Sequence, residues 1–259
     1  MWSRPIVRWP GCNSTRPGPP LTSGGGRCGI PSRSFGMRMV FRPIPLRQDE
    51  IHQHDDDEDH DTSMKPLTRE DVLSQDEYDR QRDAFRQRII ALKRRRRIAL
   101  GDKITLVFEN RETLRFQIQE MVRVERILDS QKVQDELDVY NALIPAPGEL
   151  SATLLIELTD AETMKEWLDR FMGLDRGQRL GLRAGGEVVY AAFEGGHSHE
   201  TKISAVHFVR FRPTASMVRA IGDQAARVAL TVYHAGYEAE AEVPWAMRQE
   251  WLEDLGAAG

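Results

Sequence analysis

Charge is segregated so sharply over the first 63 residues of this chain that a fold has to be built from the residues beyond them. Residues 1–48 hold eight Arg and no Lys, Asp or Glu, together with eight of the 13 Pro and both cysteines, Cys12 and Cys28. Residues 49–63 then carry eight acids and no Lys or Arg, with His52, His54 and His60 among them. Neither block has an apolar period, so neither can bury enough surface to offset its ordering entropy. A disordered tail is therefore expected over 1–63, and a single domain over 64–259. Three readings of the tail stand side by side. It has the Arg- and Ser-rich, acid-free look of a transit peptide. Its His/Asp run could scavenge metal. Or it is sequence upstream of the true start, which Met64-Lys-Pro-Leu-Thr68 resembles; the last is the expected reading. A secretory signal is excluded, because no apolar core follows the first arginines.

The two charged blocks cancel, so residues 64–259 carry 28 basic and 32 acidic residues and the net charge of −4 belongs to them. That balance argues against a nucleic-acid footprint, which needs a basic face. No run of about 18 apolar residues occurs, so no membrane span is expected and the protein reads as cytoplasmic. Both cysteines lie in the tail. The domain itself therefore has no thiol for catalysis and no cysteine to hold a zinc ion or an iron–sulfur cluster.

From Met64 the pattern becomes regular. Thr68 with Asp71 and Ser74 with Glu77 read as capping boxes, the second opening a helix over about 75–96. Gly101-Asp102 between apolar runs predicts a two-residue hairpin. Asn110 caps a helix expected over 111–129, and a further helix is expected over 131–143, stopped by Pro145. Leu150 to Leu158 alternates as a strand with one buried face. Thr159 with Glu162 reads as a third capping box before a helix from Met164 to Phe171. Strands are expected over 188–193, 202–211, 226–233 and 237–243, with a helical turn at 216–221. Pro244 opens a C-terminal helix with Trp251, Leu252 and Leu255 inward. Helices first and strands later predict an α+β domain: N-terminal helices packed on a mainly antiparallel sheet, closed by a C-terminal helix.

Three groups of residues could carry chemistry. The run Lys93-Arg94-Arg95-Arg96-Arg97 could grip an acidic partner, or could simply complement a helix C-terminus. In the next helix, Glu125 projects into the face formed by Leu114, Ile118, Met121 and Leu128, with Gln117 at its edge. A buried carboxylate needs a cation, a metal or a proton, and Arg111, Arg115, Arg123 and Arg126 are at hand. His197 and His199, with Glu200 and the strand residue His207, offer imidazole and carboxylate ligands of a kind that suits a divalent transition metal. Against that reading, the glycine-rich tip suits solvated residues, and His207 shares its face with Ile203, Ala205, Val209 and Phe211 as a core histidine would. P-loop, dinucleotide, nucleophile-elbow and H-E-x-x-H motifs are all absent from the sequence.

The runs Met64-Lys-Pro-Leu-Thr-Arg-Glu-Asp-Val72, Leu92-Lys-Arg-Arg-Arg-Arg-Ile-Ala-Leu-Gly101, Phe108-Glu-Asn-Arg-Glu-Thr113 with Gln117-Ile-Gln-Glu-Met121, and Tyr140-Asn-Ala-Leu-Ile-Pro145 together resemble a bacterial family known only as a domain of unknown function. The resemblance covers about residues 64–255. It implies genes set beside those of rubrerythrin-like proteins and of an iron–sulfur oxidoreductase similar to heterodisulfide reductase, and so an accessory to such a redox system. It transfers no catalytic residue. The expected function is an accessory or binding protein whose partner is an iron–sulfur oxidoreductase or a rubrerythrin-like protein. Arg94, Arg95, Arg96, Arg111, Gln117 and Glu125 are its candidate contacts. The alternative is a metal-dependent enzyme using His197 and His199 with His207 or Glu200, and a third, weaker reading is binding of an anionic small molecule by the arginine-rich helix.

Overall fold

A computed structural model describes residues 65–194 and 203–256. All lie in the second of two units into which the chain divides, residues 56–259. A 3-10 turn at Arg69–Asp71 precedes α1 (Gln75–Arg95). Ser74 and Glu77 form the predicted reciprocal cap: the Glu77 N–H donates to Ser74 Oγ, and the Ser74 N–H donates to the Glu77 carboxylate. A hairpin comes next as β1 (Arg97–Leu100) and β2 (Ile104–Glu109), its loop the three residues 101–103 rather than the two expected. After it come α2 (Arg111–Val124), capped by Asn110, α3 (Ser130–Asn141), β3 (Leu150–Ile156) and α4 (Met164–Arg170). The second half runs β4 (Leu180–Ala184), β5 (Glu187–Tyr190), β6 (Ala192–Phe193), β7 (Val206–Phe211), α5 (Ala215–Gly222), β8 (Val228–His234), β9 (Tyr237–Glu242) and α6 (Trp245–Asp254).

The strands form two antiparallel sheets rather than one, ordered β1-β2-β3-β7-β6 and β5-β4-β8-β9. The inward faces are set by period-two alternation. Ile104, Leu106 and Phe108 of β2 and Leu150, Ala152 and Leu154 of β3 meet Leu180, Leu182, Leu230 and Val232 of the other sheet in one buried cluster. Trp251 of α6 and Met217 of α5 join that cluster, and Trp251 lies 4.5 Å from Phe108 between ring centres. α2 and α3 cover the other face of the five-stranded sheet. There Leu114, Ile118, Val122, Val133, Leu137 and Tyr140 form a second cluster against Phe208. The α+β class and the C-terminal helix are as expected, and among the described residues no helix is long and apolar enough to cross a membrane.

Four further expectations need correction. The first is β4, which has no counterpart in the sequence reading. Gly181 occupies its centre because a Cβ there would come within 2.9 Å of Thr231 Oγ1 and 3.2 Å of Val188 Cγ2. The single strand expected over 188–193 is two strands in different sheets, β5 beside β4 and β6 beside β7. The expected box of Thr159 and Glu162 does not form, because Asp160 instead accepts from the Glu162 N–H and the Thr163 hydroxyl. Finally, α2 ends at Val124 rather than near Asp129. Arg126 takes a left-handed φ of 52°, Arg126 N–H donates to Arg123 O and Ile127 N–H donates to Val122 O, while Ile127 packs on the cluster that holds Val122. This is a Schellman stop, with arginine where glycine is usual.

Candidate functional site

The five consecutive cations Lys93–Arg97 fan out in different directions as α1 passes into β1. Lys93 turns inward, with Nζ 3.7 Å from Glu109 Oε2 at the end of β2. Arg94 is exposed. Arg95 donates from Nε to Glu250 Oε1. Arg96 is fully buried: Nε donates to Glu250 Oε2 at 3.0 Å, and Nη1 and Nη2 donate to Asp254 at 2.6 and 2.9 Å. Arg97 reaches Glu157 from the exposed face of β1. Arg96 therefore cannot serve as a docking contact; its charge fastens α6 to the end of α1. The reason is geometric: Glu250 and Asp254 are one helical turn apart and flank Trp251 on the buried face of α6, so two carboxylates enter the interior and require a cation there.

Beneath the helices, Lys93 belongs to a polar cluster on the covered face of the first sheet. Glu109 Oε1 accepts from Thr153 Oγ1 at 3.1 Å and from Gln117 Nε2 at 3.4 Å. Its Oε2 is buried and has no hydrogen-bond donor. Burial first, and then the nearby carboxylates of Glu136, Glu109 and Glu125, push the Tyr140 phenol up to about 12. Burial, followed by Glu125 and Asp135, likewise raises the Glu136 carboxyl.

The Lys93–Arg97 junction, Glu109 and Gln117 all fall within one matched region. Residues 66–255 match the family model described as "Protein of unknown function (DUF3501)". The chain belongs to the DUF3501 family. A crystal structure of a "novel protein of unknown function" from Burkholderia pseudomallei K96243 is similar as well. It shares 33% identity at a TM-score of 0.67, over 74% of this chain and 100% of that one. No curated protein matches.

In this DUF3501 chain the remaining candidates have different surroundings. Arg111 is turned inward, with its side chain 13% exposed, and donates to Asp71 Oδ1 at 2.7 Å and to Lys65 O at 3.1 Å, so it ties the leading segment to α2. Gln117 is where its spacing put it, at the edge of the buried stripe and bonded to Glu109. Glu125 is corrected: the early stop of α2 makes it the exposed C-cap, and Leu128 is 85% exposed. His197, His199 and Glu200 lie outside the described residues. His207 is buried, with Nε2 2.8 Å from Ser204 O and its ring edge-on to Phe193. Among the described residues no group of three His, Cys, Asp or Glu is arranged to hold a metal. The sequence reading missed Glu109, Glu250 and Asp254. The two acids on α6 carried a usable signal, since they sit one turn apart beside an inward tryptophan.

Proposed function

We propose that this DUF3501 chain is a cytoplasmic accessory protein that docks, through the basic ridge of α1, on an acidic face of an iron–sulfur oxidoreductase or a rubrerythrin-like protein. One observation carries the reading. From Arg86 to Arg97 the chain holds seven cations and no acid, and although Lys93, Arg95, Arg96 and Arg97 are each paired with a carboxylate of another element, Arg86, Arg88 and Arg94 are exposed, Arg88 with Glu112 3.5 Å away. Arg88 and Arg95 are seven residues apart, about two turns, and so share one flank of the helix. Helix-dipole compensation explains cations in the last turn only; Arg86 and Arg88 lie above it. Exposed charges of one sign on a rigid helix steer encounter and fix orientation more than they add affinity. The redox class of the partner rests on the family resemblance in the sequence.

Co-purification tests the proposal. The tagged full chain should retain an iron-containing partner, identified by mass spectrometry and iron content, at low salt, and release it as salt rises. Arg86→Glu combined with Arg88→Glu should abolish retention. An absence of any iron-containing partner at low salt, or capture indifferent to the charge reversal, would count against it. Stoichiometric metal in the purified chain itself, lost on His197→Ala with His199→Ala, would replace this reading with the metal-dependent enzyme.

A further inference from the structure

Among the described residues two arginines are buried, and only one has a counter-ion in hydrogen-bonding contact. Arg96 is matched by two carboxylates. Arg248, in the first turns of α6, has a side chain only 5% exposed and donates to backbone alone: Nε to Val243 O at 3.2 Å, and Nη1 to Asp223 O at 3.1 Å and Ala226 O at 2.8 Å. Those bonds use the Nε proton and both Nη1 protons. Nη2 keeps both of its own. The nearest carboxylate, Glu242, is 66% exposed, and its Oε1 is 4.0 Å from Nη2, beyond a hydrogen bond.

Arg248 lines an open surface pocket of about 430 Å³, together with Gln224, Glu242, Val243, Pro244 and Trp245. The size is within the range of small-molecule sites. The same wall is the start of α6. Pro244 at the N-cap offers no side-chain acceptor, and its carbonyl takes the N–H groups of Met247 and Arg248. The amides of Trp245 and Ala246 are left without a helical acceptor, at the positive end of the helix dipole. The half-buried indole of Trp245 adds an apolar wall, and the Gln224 side chain adds an exposed amide.

We infer that this pocket binds a small molecule through a carboxylate or phosphate group, with Arg248 Nη2 as its principal donor. A buried cation normally has its counter-charge beside it, and here the protein supplies only carbonyl dipoles and a solvated glutamate. The three carbonyl bonds lock the fork before a ligand arrives, so binding pays little to order it. Glu242 competes for the same nitrogen and weakens the site.

The test uses the full chain at constant ionic strength. Thermal melting and calorimetric titration are carried out with inorganic phosphate, with succinate, and with chloride as the matched control. Phosphate or succinate should raise the melting temperature saturably where chloride does not, and whichever does so assigns the oxyanion. Two substitutions at exposed positions leave the buried fork intact. Glu242→Gln should tighten binding about threefold to tenfold by removing a like charge, and Gln224→Glu should weaken it about tenfold by adding one. Equal shifts with all three salts, or affinities unmoved by either substitution, would overturn the assignment.

Discussion

The Arg96 guanidinium grips the Asp254 carboxylate with two nitrogens, Nη1 to Oδ2 at 2.6 Å and Nη2 to Oδ1 at 2.9 Å, and neither side chain is more than 5% exposed. The pair joins residues 158 apart in sequence. It closes the domain by holding its last helix to the end of its first long one.

Breaking that pair from one side should be costly, because the survivor is a buried charge without its match. Asp254→Asn or Arg96→Met is expected to lose about 3–5 kcal/mol of stability. Urea unfolding of the two single variants and of Arg96→Met/Asp254→Leu checks this. The double variant should recover part of the loss, because no unmatched partner from the pair remains, although Glu250 then keeps only Arg95 as its cation. A cost below about 1 kcal/mol for both single variants, the range of surface pairs, would show that the contact is solvated.

The β1–β2 hairpin supplies a second test. Tyr237 Oη donates to Leu100 O at 2.5 Å and accepts from the Lys103 N–H at 3.1 Å, so one phenol clamps both sides of the turn. Gly101, at φ +69°, lies directly beneath it, and a Cβ there would collide with Tyr237 Oη. Tyr237→Phe should cost about 1–3 kcal/mol by removing the phenol's bond to Leu100 O and leaving the Lys103 N–H without its acceptor. Gly101→Ala should cost more than the left-handed conformation alone explains. In the Tyr237→Phe background the alanine should become cheaper, and a double-mutant cycle by chemical denaturation measures that coupling. Strict additivity would refute the steric reading.

Local signals made much of this fold legible. The caps at Ser74 and Asn110, the hairpin at Gly101 and the Pro244 start are decided by neighbours a few residues away, and the structure has them, although the hairpin loop takes in Lys103 as a third residue. Elements decided at long range were not legible. Leu180, Leu182 and Ala184 alternate as a strand should, but Gly181 reads as a loop residue until Thr231 and Val188 are seen crowding it from other strands. The end of α2 was hidden because Arg126 stands where a glycine would have announced the stop. The candidate site divided the same way. Gln117 followed from helical period, whereas the destinations of Lys93, Arg95 and Arg96 depend on Glu109 and on an α6 more than 150 residues away.

Acid should weaken the fold at Glu149, a carboxylate 2% exposed at the mouth of β3. Burial pushes its carboxyl up, but bonds from Arg210, the Ala146 N–H and Arg212 outweigh that and hold it below the usual carboxylate range. A depressed folded value means the contribution is complete above the unfolded pKa of about 4.3 and is lost as pH falls through the folded one. Glu149→Gln should therefore flatten the decline below about pH 4, and the loss of its charge-assisted bonds to Arg210 and Arg212 should lower stability at neutral pH by about 1.5–3 kcal/mol. Urea midpoints from pH 7 downward check it, and an acid limb of unchanged slope would sink the assignment.

The Lys93–Glu109 contact decides whether the polar cluster beneath the helices is held together by charge or by packing. Glu109 has one oxygen satisfied by Thr153 and Gln117 and another with only the ammonium of Lys93, 3.7 Å away, to offset its burial. Lys93→Met keeps the aliphatic stem and removes that ammonium, so a carboxylate 2% exposed is left without a cation. The expected loss is about 2–4 kcal/mol. Lys93→Met with Glu109→Leu should regain most of it, since a buried pair replaced by apolar groups of similar volume is often neutral. If packing rather than charge is what Lys93 supplies, its methionine variant will unfold at the wild-type urea concentration and Glu109→Leu alone will be as damaging as the double change.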